Sequence, residues 1–243
     1  MKRTILGPRD MTALVWIAQM YGQPMGTVAQ LLGVRLTEAY RITRRWRDAG
    51  MLARSGVRPV PGPAWVYPTR AAAEALLETQ VRCWVPTPKM ANHHTMVGRV
   101  RLALTGPDLA RWVSERQIRI AQGAVKPGER RKHVHDGRYL DDMGKRWAVE
   151  VELTAKGRAA AKLAVTGAYD TAREAGLDGV VYYTADDAVA RTVREASKSI
   201  PDLGQPGGLK FFVVDLRKLL APAPVPAEPI DETDHGATGS RAS

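Results

Sequence analysis

Nine consecutive residues, Arg146 to Thr154 (RWAVEVELT), alternate with a period of two, and that pattern restricts the fold more than any other in the chain. In an extended strand Trp147, Val149, Val151 and Leu153 share one face, and Ala148, Glu150, Glu152 and Thr154 share the other. The first face is wholly apolar and requires a core. The second carries two carboxylates roughly 7 Å apart at Cα by strand rise. Burying a carboxylate without a partner is costly, so the second face needs solvent or a neutralising group.

The neighbouring segments say what kind of sheet the strand joins. TMVGRVRLALTG reads as a helix, and PDLARWVSERQIRIA as a helix passing into a strand. His133 to Leu140 and Arg146 to Thr154 read as two strands around the turn DDMGK. AKGRAAAKLAVTGAYDTAREAG is an Ala-rich helix. GVVYYT is a buried strand, DDAVARTVREASKSI a helix, and LKFFVVD another buried strand. Residues 96–220 therefore predict a mixed α/β domain with a mixed sheet. From Ala221 the chain turns Pro/Ala-rich and then polar, so residues 221–243 are expected to be a disordered tail.

Residues 8–80 follow a different order: helix, helix, helix, hairpin, helix. Asp10, Thr37 and Thr69 are the expected helix caps, and Gly33 and Gly50 the expected stops. This is the order of a winged helix-turn-helix, with LTEAYRITRRWRDAG as the reading helix and GVRPVPGPAW as the wing. Arg41, Arg44 and Arg45 share a face of that helix until Asp48 ends the stripe, and Arg47, Arg54 and Arg58 add charge nearby. Residues 1–58 hold ten Lys and Arg against three Asp and Glu, within a chain of formal net charge +11. Double-stranded DNA is the expected partner. The bland alternative is a solvated helix face. Residues 81–95, with two prolines in TQVRCWVPTPK and no clear period, are expected to link the two domains.

Composition excludes several classes. No apolar run approaches the roughly 20 residues needed to span a bilayer, so no membrane partner is expected. The N-terminus lacks a small-residue cleavage site and reads as mature protein. Cys83 is the single cysteine, which rules out an intrachain disulfide and a multi-cysteine zinc site and suits a reducing cytoplasm. No Gly-x-x-x-x-Gly-Lys loop signals a nucleotide-hydrolysing motor.

If the turn between the two acidic strands centres on Met143, Asp136 lies opposite Glu150. Like charges directly opposite are destabilising, so a proton or a cation must intervene. A hard divalent ion such as Mg²⁺ or Mn²⁺, held by Asp136, Glu150 and Glu152, answers that need. A solvated hairpin surface is the alternative.

SERQIR at Ser114–Arg119, HDG at His135–Gly137 and AVEVELTAK at Ala148–Lys156 resemble, in order and spacing, the PD-(D/E)XK nuclease superfamily. The resemblance implies catalytic places for Glu115, Asp136 and Glu150. Its lysine place holds Glu152, leaving Lys156 or Lys162 to bring an ammonium. Over roughly residues 8–215 the chain resembles the replication-relaxation family of plasmids and integrated elements. The carrying features are the winged-helix start, NHHTMVGRVRLAL, the Trp112-x-x-Glu115 motif, the DG…VEVEL pair and a helix containing Tyr169. That resemblance implies DNA binding in replication, processing or transfer, alongside replication or transfer proteins. Two alternatives stand beside an Mg²⁺-dependent nicking or cleaving enzyme. One is an inert nuclease fold serving as scaffold or homodimer interface, and the other a winged-helix transcription regulator.

The remaining residues that could carry chemistry read blandly. His93 and His94, adjacent on a helix, point apart and suit packing or a helix start. His133 and His135 share a side opposite Asp136 and suit polar packing or phosphate contact. Tyr169, Tyr182 and Tyr183 raise the thought of a tyrosine nucleophile, but no histidine cluster adjoins one in sequence.

Overall fold

The computed structural model describes residues 5–54, 57–58, 64–82, 84–123, 128 and 132–221. Cys83, most of the wing's tip and the tail beyond Ala221 lie outside the described residues. The chain begins with α1 (Pro8–Gln19), β1 (Gln23–Pro24), α2 (Met25–Leu32) and α3 (Leu36–Asp48). Asp10 does not cap α1 from outside. It sits in the first turn and accepts the Gly7 amide at 3.2 Å. Gly33 ends α2 at φ 63°, as its position in the sequence implies. Thr37 is likewise inside its helix: Arg35 precedes α3, and its carbonyl already accepts the Ala39 amide at 3.0 Å.

Next come β2 (Trp65–Val66), antiparallel to β1, and α4 (Arg70–Leu77), which Thr69 caps by accepting the Ala72 amide at 3.2 Å. Antiparallel bridges join Leu52 to Pro68 and Val57 to Trp65. The stretch expected to be a linker carries the first two turns of α5 (Pro88–Thr105), with Ala91 and His94 buried. Its helical period is broken in the sequence because polar His94, Arg101 and Thr105 share the inward positions with Ala91, Val97 and Val100. Gln23 lays its amide across Gly98 of α5 and donates to the His94 carbonyl at 2.9 Å. A Cβ at Gly98 would stand 2.3 Å from that amide.

β3 (Trp112–Ser114) precedes α6 (Glu115–Gln122), the reverse of the expected order. The reason is a capping box. Ser114 Oγ accepts the Gln117 amide at 3.3 Å, and Gln117 Oε1 accepts the Ser114 amide at 2.9 Å. β4 (Gly137–Leu140) and β5 (Arg146–Glu152) follow, then α7 (Arg158–Glu174), β6 (Gly179–Thr184), α8 (Asp187–Ser197), β7 (Lys210–Asp215) and α9 (Leu216–Leu220). The five-stranded sheet has the order β3-β4-β5-β6-β7. Its first two pairings are antiparallel and its last two parallel, so the protein is mixed α/β.

Arg138 pairs with Ala148 and Gly137 with Val149, a register centred on Met143. Asp141 fixes the turn by accepting the amides of Met143 at 2.9 Å and Lys145 at 2.8 Å. β4 starts at Gly137 and not at His133, and the Trp112 ring occupies the place a side chain at 137 would take. His133, His135 and Asp136 therefore precede the strand.

Both faces of the sheet are covered. Ala148, Val180 and Tyr182 pack with Ala161, Val165, Ala168 and Tyr169 of α7 and with Val193 of α8. Trp147, Val149, Val151 and Tyr183 belong to the same apolar cluster as Leu14, Ile17, Val28, Ile42, Trp46 and Val100. One core therefore runs from the N-terminal helices to the sheet. β7, expected to be buried, is an edge strand with Lys210 and Phe212 exposed. Among the described residues no helix is long and apolar enough to cross a membrane.

Candidate functional site

Asp136 and Glu150 each meet a histidine at the carboxyl end of β5, near enough for the Asp136 charge to help raise Glu150. Asp136 accepts the Val151 amide at 2.7 Å with one oxygen and His93 Nε2, from α5, at 2.9 Å with the other. Glu150 Oε1 lies 2.7 Å from His133 Nε2, with one proton between them. The two carboxylates were expected to face each other across the hairpin. Each instead takes a histidine as partner, Asp136 taking His93 on α5 and Glu150 taking His133 before β4, where the β4–β5 ladder has ended at Gly137. The countercharge demanded by the sequence comes from two imidazoles.

The electrostatics follow from these pairs. Burial opposes the charge on His93, but the charge and hydrogen bond of Asp136 outweigh it and raise the imidazole above its ordinary value. Burial also opposes the charge on Asp136, and His93 with the Val151 amide holds the carboxyl below the usual range. Burial pushes the Glu150 carboxyl up to about 7, against the pull of His133. His133 is raised because the hydrogen bond and charge of Glu150 overcome its burial. His135 is fully buried and donates Nε2–H to the Ala168 carbonyl of α7 at 2.9 Å. Burial lowers it to about 4, so it is neutral, and its Nδ1 accepts the Arg138 Nε–H at 3.4 Å. Donor atoms of His133, His135 and Glu150 all lie within 4.8 Å of one another.

Glu152 and Lys156 pair with each other at the rim, and the Lys156 charge is felt by both Glu150 and His133. Glu115 donates its amide to the Asp136 carbonyl at 3.3 Å, but its carboxylate is taken by Arg119 at 2.6 Å. Of the acidic residues singled out in the sequence, Asp136 and Glu150 stand with the histidines, while Glu115 and Glu152 hold cations beside them. Tyr169 is structural: its hydroxyl accepts the Leu209 amide at 3.1 Å inside the core.

On α3, Arg44 is exposed and Arg47 half-buried, and both lack an ion-pair partner among the described residues, as do the exposed Arg54 and Arg58. Arg41 pairs with Glu38 of its own helix. Arg45 does not share the open face. Two bonds of 2.9 and 2.8 Å tie it to Asp10, a buried carboxylate that also accepts the Trp46 indole at 3.0 Å. Tyr40 is exposed one turn before Arg44, a residue that arginine spacing alone did not bring out.

Sequence reasoning also missed a cleft between α7 and α8. Lys156, Arg158, Lys162, Arg191, Arg194 and Lys198 line it, starting next to the Glu152–Lys156 pair. No local signal could reveal it, since two helices contribute. The histidines carried one usable signal, the His-x-His-Asp spacing immediately before the acidic strand.

The described residues define a mixed α/β protein with helices on both faces of a five-stranded sheet and paired imidazoles and carboxylates at the end of its middle strand. No family model, no curated protein and no solved structure matches the chain.

Proposed function

We propose that the chain is a cytoplasmic, double-stranded-DNA-binding protein of the replication-relaxation type, acting in plasmid or mobile-element replication or transfer, with a metal-dependent phosphodiesterase centre. In this reading α1 to α4 with the 52–68 segment form the winged helix-turn-helix, and the sheet with its helices is the PD-(D/E)XK-like domain. The observation that carries it is the pair Asp136 and Glu150 at the end of β5, next to a cleft lined by six cations. A positive groove running up to a carboxylate centre suits a phosphate backbone and its cleavage.

Two withdrawn carboxylates whose countercharges are titratable imidazoles fit a divalent ion, which displaces such protons on binding. Asp136 and Glu150 would hold Mg²⁺ or Mn²⁺ there, each giving up its imidazole partner, with Glu152 at the edge. The ion would supply Lewis-acid polarisation of the phosphodiester and a lowered pKa for an attacking water. Until then His93 keeps Asp136 ionised and aimed, and His133 fixes the Glu150 carboxylate. Lys156 sets an ammonium beside the incoming phosphate, and Glu115 braces the Asp136 backbone. Arg44, Arg47, Arg54 and Arg58 grip the duplex, while Arg45 holds α3 against α1.

The test is supercoiled plasmid incubated with Mg²⁺ or Mn²⁺ and either wild type or Asp136→Ala. Nicking by the wild type alone is expected; equal nicking by both, or none by either, defeats the reading. One observation favours a second reading, an inert nuclease fold serving as scaffold. Each carboxylate is already satisfied within the protein, and Glu152 stands where the superfamily has lysine. That reading expects DNA binding unchanged in Asp136→Asn and Glu150→Gln.

A further inference from the structure

We propose that His133, His135 and Glu150 form a site for a divalent transition-metal ion that accepts imidazole nitrogen, represented by Zn²⁺ or Co²⁺, in preference to Mg²⁺. The inference rests on the reading of this end of the sheet as a cation site and names the class of ion; it does not need DNA to be cut.

The geometry argues for it in three steps. First, the three donor atoms come from two adjoining backbone segments. His133 and His135 precede β4 with ring centroids 5.4 Å apart, and Glu150 belongs to the neighbouring strand β5. Their donor atoms fall within 4.8 Å, so a modest contraction encloses one ion at the usual distances of about 2.0–2.2 Å. Second, His135 already carries the outer bond typical of a ligating imidazole. Its Nε2–H is spent on the Ala168 carbonyl at 2.9 Å, which fixes ring and tautomer and leaves Nδ1 as the acceptor nitrogen. Nδ1 accepts a long hydrogen bond of 3.4 Å from Arg138 Nε–H, which an ion has to displace. Third, His133 Nε2 and Glu150 Oε1 stand 2.7 Å apart across a single proton, which is the place an ion takes when it displaces that proton.

The donor set chooses the ion. Two nitrogens and one carboxylate oxygen suit a first-row transition metal, whereas Mg²⁺ prefers an all-oxygen octahedron. Asp136 is outside the set, since its oxygens bond to His93 and the Val151 amide and do not belong to the group of donors within 4.8 Å. His133 and Glu150 remain partly open to solvent, with side-chain exposures of 23 % and 12 %, which leaves an entry path.

The experiment is titration of untagged, chelator-treated full-length protein with Co²⁺, followed by visible absorption and calorimetry without DNA. One Co²⁺ per chain is expected, with proton release and a raised melting temperature. His133→Asn and His135→Gln should each weaken binding about tenfold or more. Arg138→Met, which clears the lone pair, should tighten it, and His94→Gln should leave it unchanged. Equal binding by the wild type and the His133→Asn variant, no binding at all, or displacement of Co²⁺ by equimolar Mg²⁺ overturns the proposal. His135 is fully buried, so thermal melts accompany each variant, and the more exposed His133 keeps the test decisive if His135→Gln fails to fold. Co²⁺ binding without plasmid nicking defeats the phosphodiesterase reading alone. Mg²⁺-dependent nicking without Co²⁺ binding defeats this one alone.

Discussion

Asp10 and Asp136 are both carboxylates withdrawn from water, and the chain satisfies them in different ways. Asp10, between α1 and α3, receives two bonds from Arg45, the Trp46 indole and the Gly7 amide. Asp136, at the end of the sheet, receives the Val151 amide and a histidine. A guanidinium keeps its charge at any physiological pH, while an imidazole gives up its proton near neutrality. The first arrangement is a brace. The second can exchange its proton for another cation, as can the neighbouring His133–Glu150 pair. A carboxylate's partner, more than its burial, separates structural from chemical use.

Several substitutions break or sharpen this contrast. The largest expected effect is on activity: Asp136→Ala should reduce Mn²⁺-dependent plasmid nicking to the protein-free level, read on agarose gels, with DNA affinity retained. Asp10→Ala should do the opposite. It strands the Trp46 indole and the Gly7 amide and frees Arg45, for a loss of about 2–3 kcal/mol in denaturant melts, after discount for the partly exposed guanidinium. If Asp10→Ala melts like wild type, the bracing role is wrong.

His94 tests the titratable side with an imidazole that has no carboxylate partner. Its ring lies against Tyr21 and Trp84, and burial lowers it to about 4. Below pH 6.5 the unfolded chain therefore binds a proton that the folded chain refuses. Stability on this account rises with pH between about 4 and 6.5 and is level above. Relative to wild type, His94→Gln should flatten that rise, by about 3 kcal/mol across the window. Parallel stability–pH curves for the two proteins would remove this assignment.

The smallest effects concern α3. Arg44→Gln with Arg47→Gln should lower the slope of log affinity against log salt by about 2, one per phosphate contact, and shift stability by less than about 0.5 kcal/mol. Arg45→Gln should reverse that profile, costing stability more than affinity. Identical profiles for Arg44 and Arg45 would dissolve the distinction between reader and brace.

Local rules made much of the architecture legible. The two-residue period of 146–152 marked β5, the turn residues of DDMGK set the register about Met143, Gly33 stopped α2, and Thr69 capped α4. Each of these is decided by residues a few positions apart, where backbone hydrogen bonding and side-chain alternation act directly. The start of α5 at Pro88 and the placing of β3 before α6 escaped notice because polar residues interrupt one helix and a capping box divides the other segment.

Which carboxylate meets which cation was decided only by tertiary structure. Asp10 and Arg45 are 35 residues apart, His93 and Asp136 43, and His135 reaches a carbonyl 33 residues on. The sequence by itself determined that acidic groups on β5 would need neutralising. Packing of α5 and α7 against opposite faces of the sheet determined that imidazoles would do it, because a side chain's partner depends on which surfaces dock and no local period encodes that.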